Sequence, residues 1–295
     1  MLLSGRLAIV TGASSGLGRA IAFRLAVVER ADVILVARRR ERLETLREEI
    51  AGRRGAGGGP AAGGEPGAGR AYVCAVDLAE PGGPALVMER ALEVASARAE
   101  SDPGTAGLYG LVNNAGVTWY GPFVEMTDES LDAIVSLNVR ATMELTRRFV
   151  RELSARRDDG AVLTITSLAA SAPVPYQAVY AASKHALRAF SASVSFELER
   201  AARHDGPRFT FTTFEPGGIA TEMISTSGLE RRFGSSGKAE GVVSDPDRVA
   251  AHAIRAWKRG RRVATAGPAN RLTALGGRLL PLGLVGRISE RLFRP

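Results

Sequence analysis

One recurring unit constrains the fold of this chain more than any other feature: a short, largely apolar run followed by a helical pattern. LAIVTG (7–12), VILVA (33–37), YVCAVDL (72–78), LYGLVNN (108–114), AVLTITS (161–167) and FTFTTFEP (209–216) are the apolar runs. Between them apolar residues recur every three or four positions, as in Leu17, Ile21 and Leu25, or Leu43, Leu46 and Ile50. A strand without polar alternation is buried on both faces, and the intervening helices supply the covering layers. The pattern predicts an α/β fold on a parallel sheet. Further helices are expected near 82–99, 127–156, 177–202 and 246–259, with a short strand near 262–265.

AGRRGAGGGPAAGGEPGAGR at 51–70 interrupts the rhythm with a low-complexity stretch of Gly, Ala and Pro. The rhythm resumes unchanged after it, so it reads as a surface loop inside one domain, an insertion of low thermodynamic cost. An apolar fraction of 45% in 295 residues is ample for a single core. The lone Cys74 cannot form an internal disulfide and reads as a core residue. No run approaches the roughly 18 apolar residues of a membrane span, and MLLSGRLAIV leads straight into a strand without a cleavage pattern. A cytoplasmic protein is expected. His185, His204 and His252 have no metal-ligand spacing, and no metal is expected.

The net charge is +8, yet from Arg255 onward there are ten basic residues and one acid, Glu290. The rest of the chain is close to neutral, which argues against a nucleic-acid-binding face. Within that tail Leu272, Leu275, Leu279, Leu282, Val285, Ile288 and Leu292 alternate with Arg271, Arg278, Arg287, Arg291 and Arg294. Apolar steps of three or four, broken at Pro281, predict two short amphipathic helices. Such an extension (268–295, beyond a body of 1–267) suits peripheral contact with a membrane surface, cover for a substrate entrance, or packing on the body or on another subunit.

TGASSGLG (11–18) joins the first strand to the first helix. Gly12 permits a sharp turn, Gly16 leaves room for a diphosphate against backbone, and Gly18 permits close helix–strand packing. Such a turn also occurs with no ligand at all. The second strand ends in Ala37 followed by Arg38, Arg39 and Arg40 instead of a carboxylate that would hold a ribose hydroxyl. Arg38 and Arg39 fit a 2′-phosphate, while Arg40 reads as a solvated helix start. Asp77, ending the third strand, could bond adenine or cap a turn. In YAASK, Tyr180 and Lys184 share a helix face, and an ammonium beside a phenol favours phenolate. Ser167 ends the fifth strand thirteen residues earlier, where its hydroxyl could bind a carbonyl. Asn138, a poor helix former within a helical stretch, suggests a role such as holding water.

With these residues in place the sequence resembles a classical short-chain dehydrogenase/reductase. TGASSGLG, Asp77-Leu78, NNAG (113–116), Asn138, Ser167, YAASK (180–184) and PGGIAT (216–221) occur in family order over about residues 5–225. The resemblance implies a Rossmann-type doubly wound parallel sheet and an NADP(H)-dependent oxidoreductase that interconverts a carbonyl and a secondary alcohol. By the same resemblance Tyr180 is the acid/base, and Lys184 lowers its pKa and holds the nicotinamide ribose. Ser167 orients the carbonyl, and Asn138 holds a proton-relay water. Gly12, Ser15, Gly16, Leu17, Gly18, Asp77, Leu78, Asn113, Asn114, Ala115 and Gly116 line the cofactor cleft. Pro216, Gly217, Ile219 and Thr221 hold the nicotinamide, while Ser14, Arg38 and Arg39 contact the 2′-phosphate of NADP.

A homo-oligomer, dimer or tetramer, is also implied. The alternative is a non-catalytic dinucleotide sensor or scaffold, against which the presence of both Tyr180 and Lys184 counts. The chain departs from the family pattern at Tyr109-Gly110, where an Asp is usual, in its long Gly/Ala loop and in its tail. Val117, Trp119, Tyr120, Phe123, Val174, Tyr176, Met223, Ile224 and Leu229 fall in the stretches expected around the substrate. They favour a largely apolar carbonyl compound: lipid, steroid-like or aromatic.

Overall fold

The computed structural model describes residues 3–56, 68–102, 107–219, 222 and 243–294. The middle of the Gly/Ala-rich loop, Thr221, Met223, Ile224 and Leu229 lie outside them. Strands and helices alternate as β1 (Leu7–Thr11), α1 (Gly16–Val27), β2 (Asp32–Ala37), α2 (Arg40–Ala56), β3 (Ala71–Ala75), α3 (Gly83–Ser101) and β4 (Leu108–Asn113). Then come α4 (Asp128–Ile134), a π-helical stretch (Val135–Ala141), α5 (Thr142–Arg156), β5 (Gly160–Ile165), α6 (Ala178–Ala202) and β6 (Phe209–Glu215). The short strands β7 (Gly218–Ile219) and β8 (Val243–Ser244) precede α7 (Pro246–Lys258) and β9 (Val263–Thr265). Two helices, α8 (Pro268–Leu279) and α9 (Leu282–Phe293), end the described chain. The helical pattern expected over 127–156 is thus three segments, with π geometry centred on Asn138.

The main sheet has seven strands in the order β3-β2-β1-β4-β5-β6-β9, all parallel. Strand order reverses between β1 and β4, which opens a crevice at their C-terminal ends, the place where open α/β sheets take ligands. The apolar character of the central strands follows from cover on both faces. Leu7 and Ile9 of β1 join Val87 and Met88 of α3 and Leu145 and Phe149 of α5. Val10 joins Leu17, Ile21 and Leu25 of α1, Leu43 of α2, and Ile254 and Trp257 of α7. Cys74 is buried in β3, and burial pushes its thiol up to about 11, so it is protonated and inert at neutral pH.

Gly110 explains one departure from the family pattern. A Cβ there would lie 2.9 Å from the Trp257 ring and from Ala8 Cβ, so the absent side chain makes room for the indole. Trp257 is among the largest fully buried side chains and locks α7 onto the sheet.

α8 packs inside out. Its inward strip is Asn270, Ala274, Gly277 and Arg278, at helical spacing. A Cβ on Gly277 would come within 2.6 Å of the Ser171 carbonyl. Arg278 donates to both oxygens of Glu215, at 2.7 and 2.6 Å, and to Ser171 Oγ at 3.1 Å. The leucine stripe faces the other way, with Leu272 and Leu279 72% and 73% exposed.

Candidate active site

The crevice is built first from the turn after β1. Gly12 adopts φ +68°, open to glycine without strain, and a Cβ there would strike the Asn114 side chain at 2.7 Å. A Cβ on Gly18 would meet the Gly12 carbonyl at 2.2 Å, so α1 can start this close only with glycine at both places. Thr11 Oγ1, assigned no role from the sequence pattern, accepts from the backbone N–H of Asn114 and Ala115 and donates to the Val112 carbonyl. Asn114 Nδ2 donates to the Thr11 carbonyl, and buried Asn113 to Thr146. β1 and β4 are thereby stitched at the mouth of the crevice. Ser15, at the N-cap of α1, makes no side-chain capping bond, so the first N–H groups of the helix stay open to an anion.

Arg39 crosses this turn and donates to Ser14 Oγ at 3.1 Å and Ser15 Oγ at 3.2 Å. It also donates to Glu222, as does Arg42. The hydrogen bond from Arg42, and then that from Arg39, holds the Glu222 carboxyl below its ordinary range. Two guanidiniums therefore converge on one anionic group beside the serines. Arg38 points elsewhere, 72% exposed and 3.6 Å from Asp77. Asp77 accepts from Ala79 N–H at 2.9 Å, a turn cap, and Leu78 is buried behind it. Of the two arginines singled out from sequence, the fold puts Arg39 at the glycine turn. Arg42, one turn further along α2, joins it unforeseen.

Tyr180 and Lys184 lie on α6, with Nζ 5.6 Å from the phenol ring centroid. Lys184 is buried and donates to the Ile165 carbonyl at 3.2 Å. Burial pushes its pKa down to about 8. Burial also pushes the Tyr180 phenol up, and a hydrogen bond with Ser167 pulls it back. Desolvation of the charged form sets the direction of both shifts. Ser167 Oγ also accepts from Ala169 N–H, which fixes it at the end of β5.

Asn138 is fully buried in the π stretch. Its side chain accepts from Val117 N–H and donates to the Val117 carbonyl, both at 2.9 Å, and to Ser183 Oγ at 3.1 Å. Ser183 in turn donates to the Tyr180 carbonyl at 2.7 Å. The amide is spent on holding the strand-end loop to the Tyr180 helix. Gly116 faces the same group, since a Cβ there would lie 3.1 Å from Asn138 Oδ1.

Beyond Tyr180 a pocket is lined by Trp119, Phe123, Met126, Ile134, Tyr176 and Gln177. Tyr176 sits at φ +64°, a strained conformation for an aromatic residue, and its carbonyl accepts from Gly121 N–H. Val174 packs with Tyr180 and Phe293. The tail closes this rim: Tyr120 Oη donates to the Phe293 carbonyl at 2.6 Å, and Tyr176 Oη to Glu290 at 3.3 Å.

Pro216, Gly217 and Ile219 follow β6. A Cβ on Gly217 would lie 2.7 Å from the Asn270 side chain of α8. Directly before them Glu215 is fully buried, held by Arg278 and by Arg188 at 3.1 Å, while Arg188 also donates to the Ala170 carbonyl. An acid ending an apolar strand was the signal for this cluster. Its partners, 27 residues before and 63 after, had none. Among the described residues no group of three or more His, Cys, Asp and Glu could hold a metal ion.

Residues 6–58 and 68–231 match the family model described as short chain dehydrogenase. A short chain dehydrogenase of Pseudocercospora fijiensis is 34% identical over 224 residues, which cover 75% of this chain and 62% of that protein. Among solved structures, L-sorbose reductase from Gluconobacter frateurii, complexed with NADPH and L-sorbose, is 27% identical with a TM-score of 0.68, covering 90% of this chain and 96% of that one. A short chain dehydrogenase/reductase from Burkholderia phymatum in complex with NAD has a TM-score of 0.75 at 20% identity, covering 93% of both chains, a likeness of fold alone. On the family match and the architecture together, the chain belongs to the classical short-chain dehydrogenase/reductase family.

Proposed function

We propose that this protein is an NADP(H)-dependent oxidoreductase that interconverts a carbonyl and a secondary alcohol on a largely apolar substrate. The observation that carries the chemistry is the pairing of half-buried Tyr180 with buried Lys184 beside Ser167, where Tyr180 lines a narrow cleft with Trp119, Phe123 and Tyr176. The glycine turn and the open N-terminus of α1 fit a dinucleotide diphosphate. Asn114, Ala115, Gly116, Pro216, Gly217, Ile219 and Thr221 would flank its nicotinamide half, with Leu17 and Leu78 at its edge. Arg39 and Arg42 already gather a carboxylate, and a 2′-phosphate would satisfy the same donors. The nicotinamide supplies or accepts the hydride when bound.

In the reducing direction Ser167 and Tyr180 hold the carbonyl oxygen by hydrogen bonds, and Tyr180 gives it a proton. The Lys184 ammonium, cationic below about pH 8, stabilises the charge that develops on the phenol oxygen. Asn138 serves through position: its amide, committed to Val117 and Ser183, holds the loop after β4 against the Tyr180 helix, where a relay water would sit. A body of 1–267 carries this machinery, and 268–295 is an extension packed on it.

Tyr180→Phe tests the reading. We expect kcat on a turned-over ketone to fall by about two to four powers of ten, with NADPH affinity almost unchanged. A near-normal kcat sinks the acid/base role. NADPH binding without turnover of any member of a broad carbonyl panel favours a dinucleotide sensor instead.

A further inference from the structure

We propose that α8 and α9 seat this protein on an anionic lipid surface. The two helices turn apolar side chains outward: Leu272, Leu275 and Leu279 on α8, Leu282, Leu284 and Ile288 on α9, all exposed. An ordinary surface helix buries such a stripe and exposes its polar side. Here the inward side of α8 is small and polar, Asn270, Ala274, Gly277 and Arg278, and is fixed by the Glu215 ion pair. The leucines therefore add little to packing on the body. Each helix has twelve residues, far too short to span a bilayer and long enough to lie in its interface.

Charge selects the occupant. Arg271, Arg287 and Arg291 are exposed and make no ion pair among the described residues. The single acid of these helices, Glu290, is held by Arg294 and Tyr176. A second copy pairing symmetrically through this face would set arginine against arginine with no acid to answer them. A bilayer containing phosphatidylserine supplies both the apolar phase and the counter-charge. On its inner side α9 packs Phe293 on the Ala169–Val174–Ala181 cluster that Tyr180 also covers, so docking would hold the mouth of the cleft at the lipid boundary, a consequence that rests on the proposed function.

The test uses the full chain with no substrate or cofactor, so it stands apart from the catalytic reading. Sedimentation with vesicles of phosphatidylcholine plus phosphatidylserine is compared with pure phosphatidylcholine vesicles. We expect binding that requires the anionic lipid and falls with salt. The triple change Arg271→Gln, Arg287→Gln, Arg291→Gln should weaken it about a hundredfold. Leu272→Ser, Leu279→Ser, Leu282→Ser should abolish it with an unchanged circular dichroism spectrum, since these side chains touch little of the body. A full chain that stays in the supernatant with anionic vesicles at low salt overturns the proposal. So does binding indifferent to the leucines, or a solution dimer that the leucine changes dissolve while no vesicle binding is seen.

Discussion

Lys184 is the residue whose chemistry is most altered by the fold. Its pKa of about 8 lies below the ordinary lysine value of 10.5 because burial penalises the ammonium. Between those two values the unfolded chain binds a proton at this position that the folded chain does not. Stability therefore gains with rising pH from about 8 upward, and the folded state bears the full penalty below about 8. Chemical denaturation of the free protein at several pH values, beside Lys184→Met, should show that rise in the wild type and a flatter curve in the variant. Parallel curves would mean the lysine is solvated. A second residue-scale expectation concerns cofactor choice. Arg39→Ala should cost about 1.5–3 kcal/mol of NADPH binding, roughly ten- to a hundredfold, and leave NADH almost untouched. Arg42→Ala should act in the same sense and Arg38→Ala much less, because Arg38 points away to Asp77. Steady-state kinetics with both cofactors decide it, and equal kcat/KM for the two in the wild type would refute the phosphate site.

At the scale of elements, α8 is a brace. Arg278 reaches Glu215, the last residue of β6, and Ser171, just past the turn that carries Ser167. One guanidinium thus fixes the loop after β6 and the turn after Ser167 to each other. Arg278→Met should remove about 1.5–3 kcal/mol of stability, since Arg188 still partners the buried carboxylate, and should lower kcat by loosening both loops. Urea denaturation and kinetics check the two effects. A variant as stable as the wild type would show that Arg188 alone suffices. The elements themselves were legible because each carries its own signal. The apolar runs could only be strands covered on both sides, and Pro281 marked the bend between α8 and α9. Legible too was the pairing of Tyr180 with Lys184, four residues apart on one helix. Contacts that join distant elements were not: nothing local in Arg42, Arg188 or Arg278 separates a network guanidinium from a solvated one. The pattern also could not say which side of α8 faces inward. Leucine periodicity fixes that a stripe exists, while Gly277 and Arg278 decide where it points.

For the molecule as a whole, the body and its extension form one unit around Glu215, Tyr120 and Tyr176. A chain ending at Gly267 would strip the Arg278 partner from a fully buried carboxylate and remove Phe293 from the cluster it shares with Tyr180. Such a truncation should lower the melting temperature by several degrees and reduce kcat, and is no silent removal of a tail. An unchanged melting curve would show the extension to be an ornament. The inverted packing of α8 also bears on how this chain can vary. The two sides of that helix answer to different demands: its glycine, alanine and arginine are fixed by the shape of the interior, while its leucines are free of it. Drift could therefore strip the outer side to serine or glutamate without harm to the fold, and any lineage that keeps it greasy is keeping it for an encounter outside the molecule.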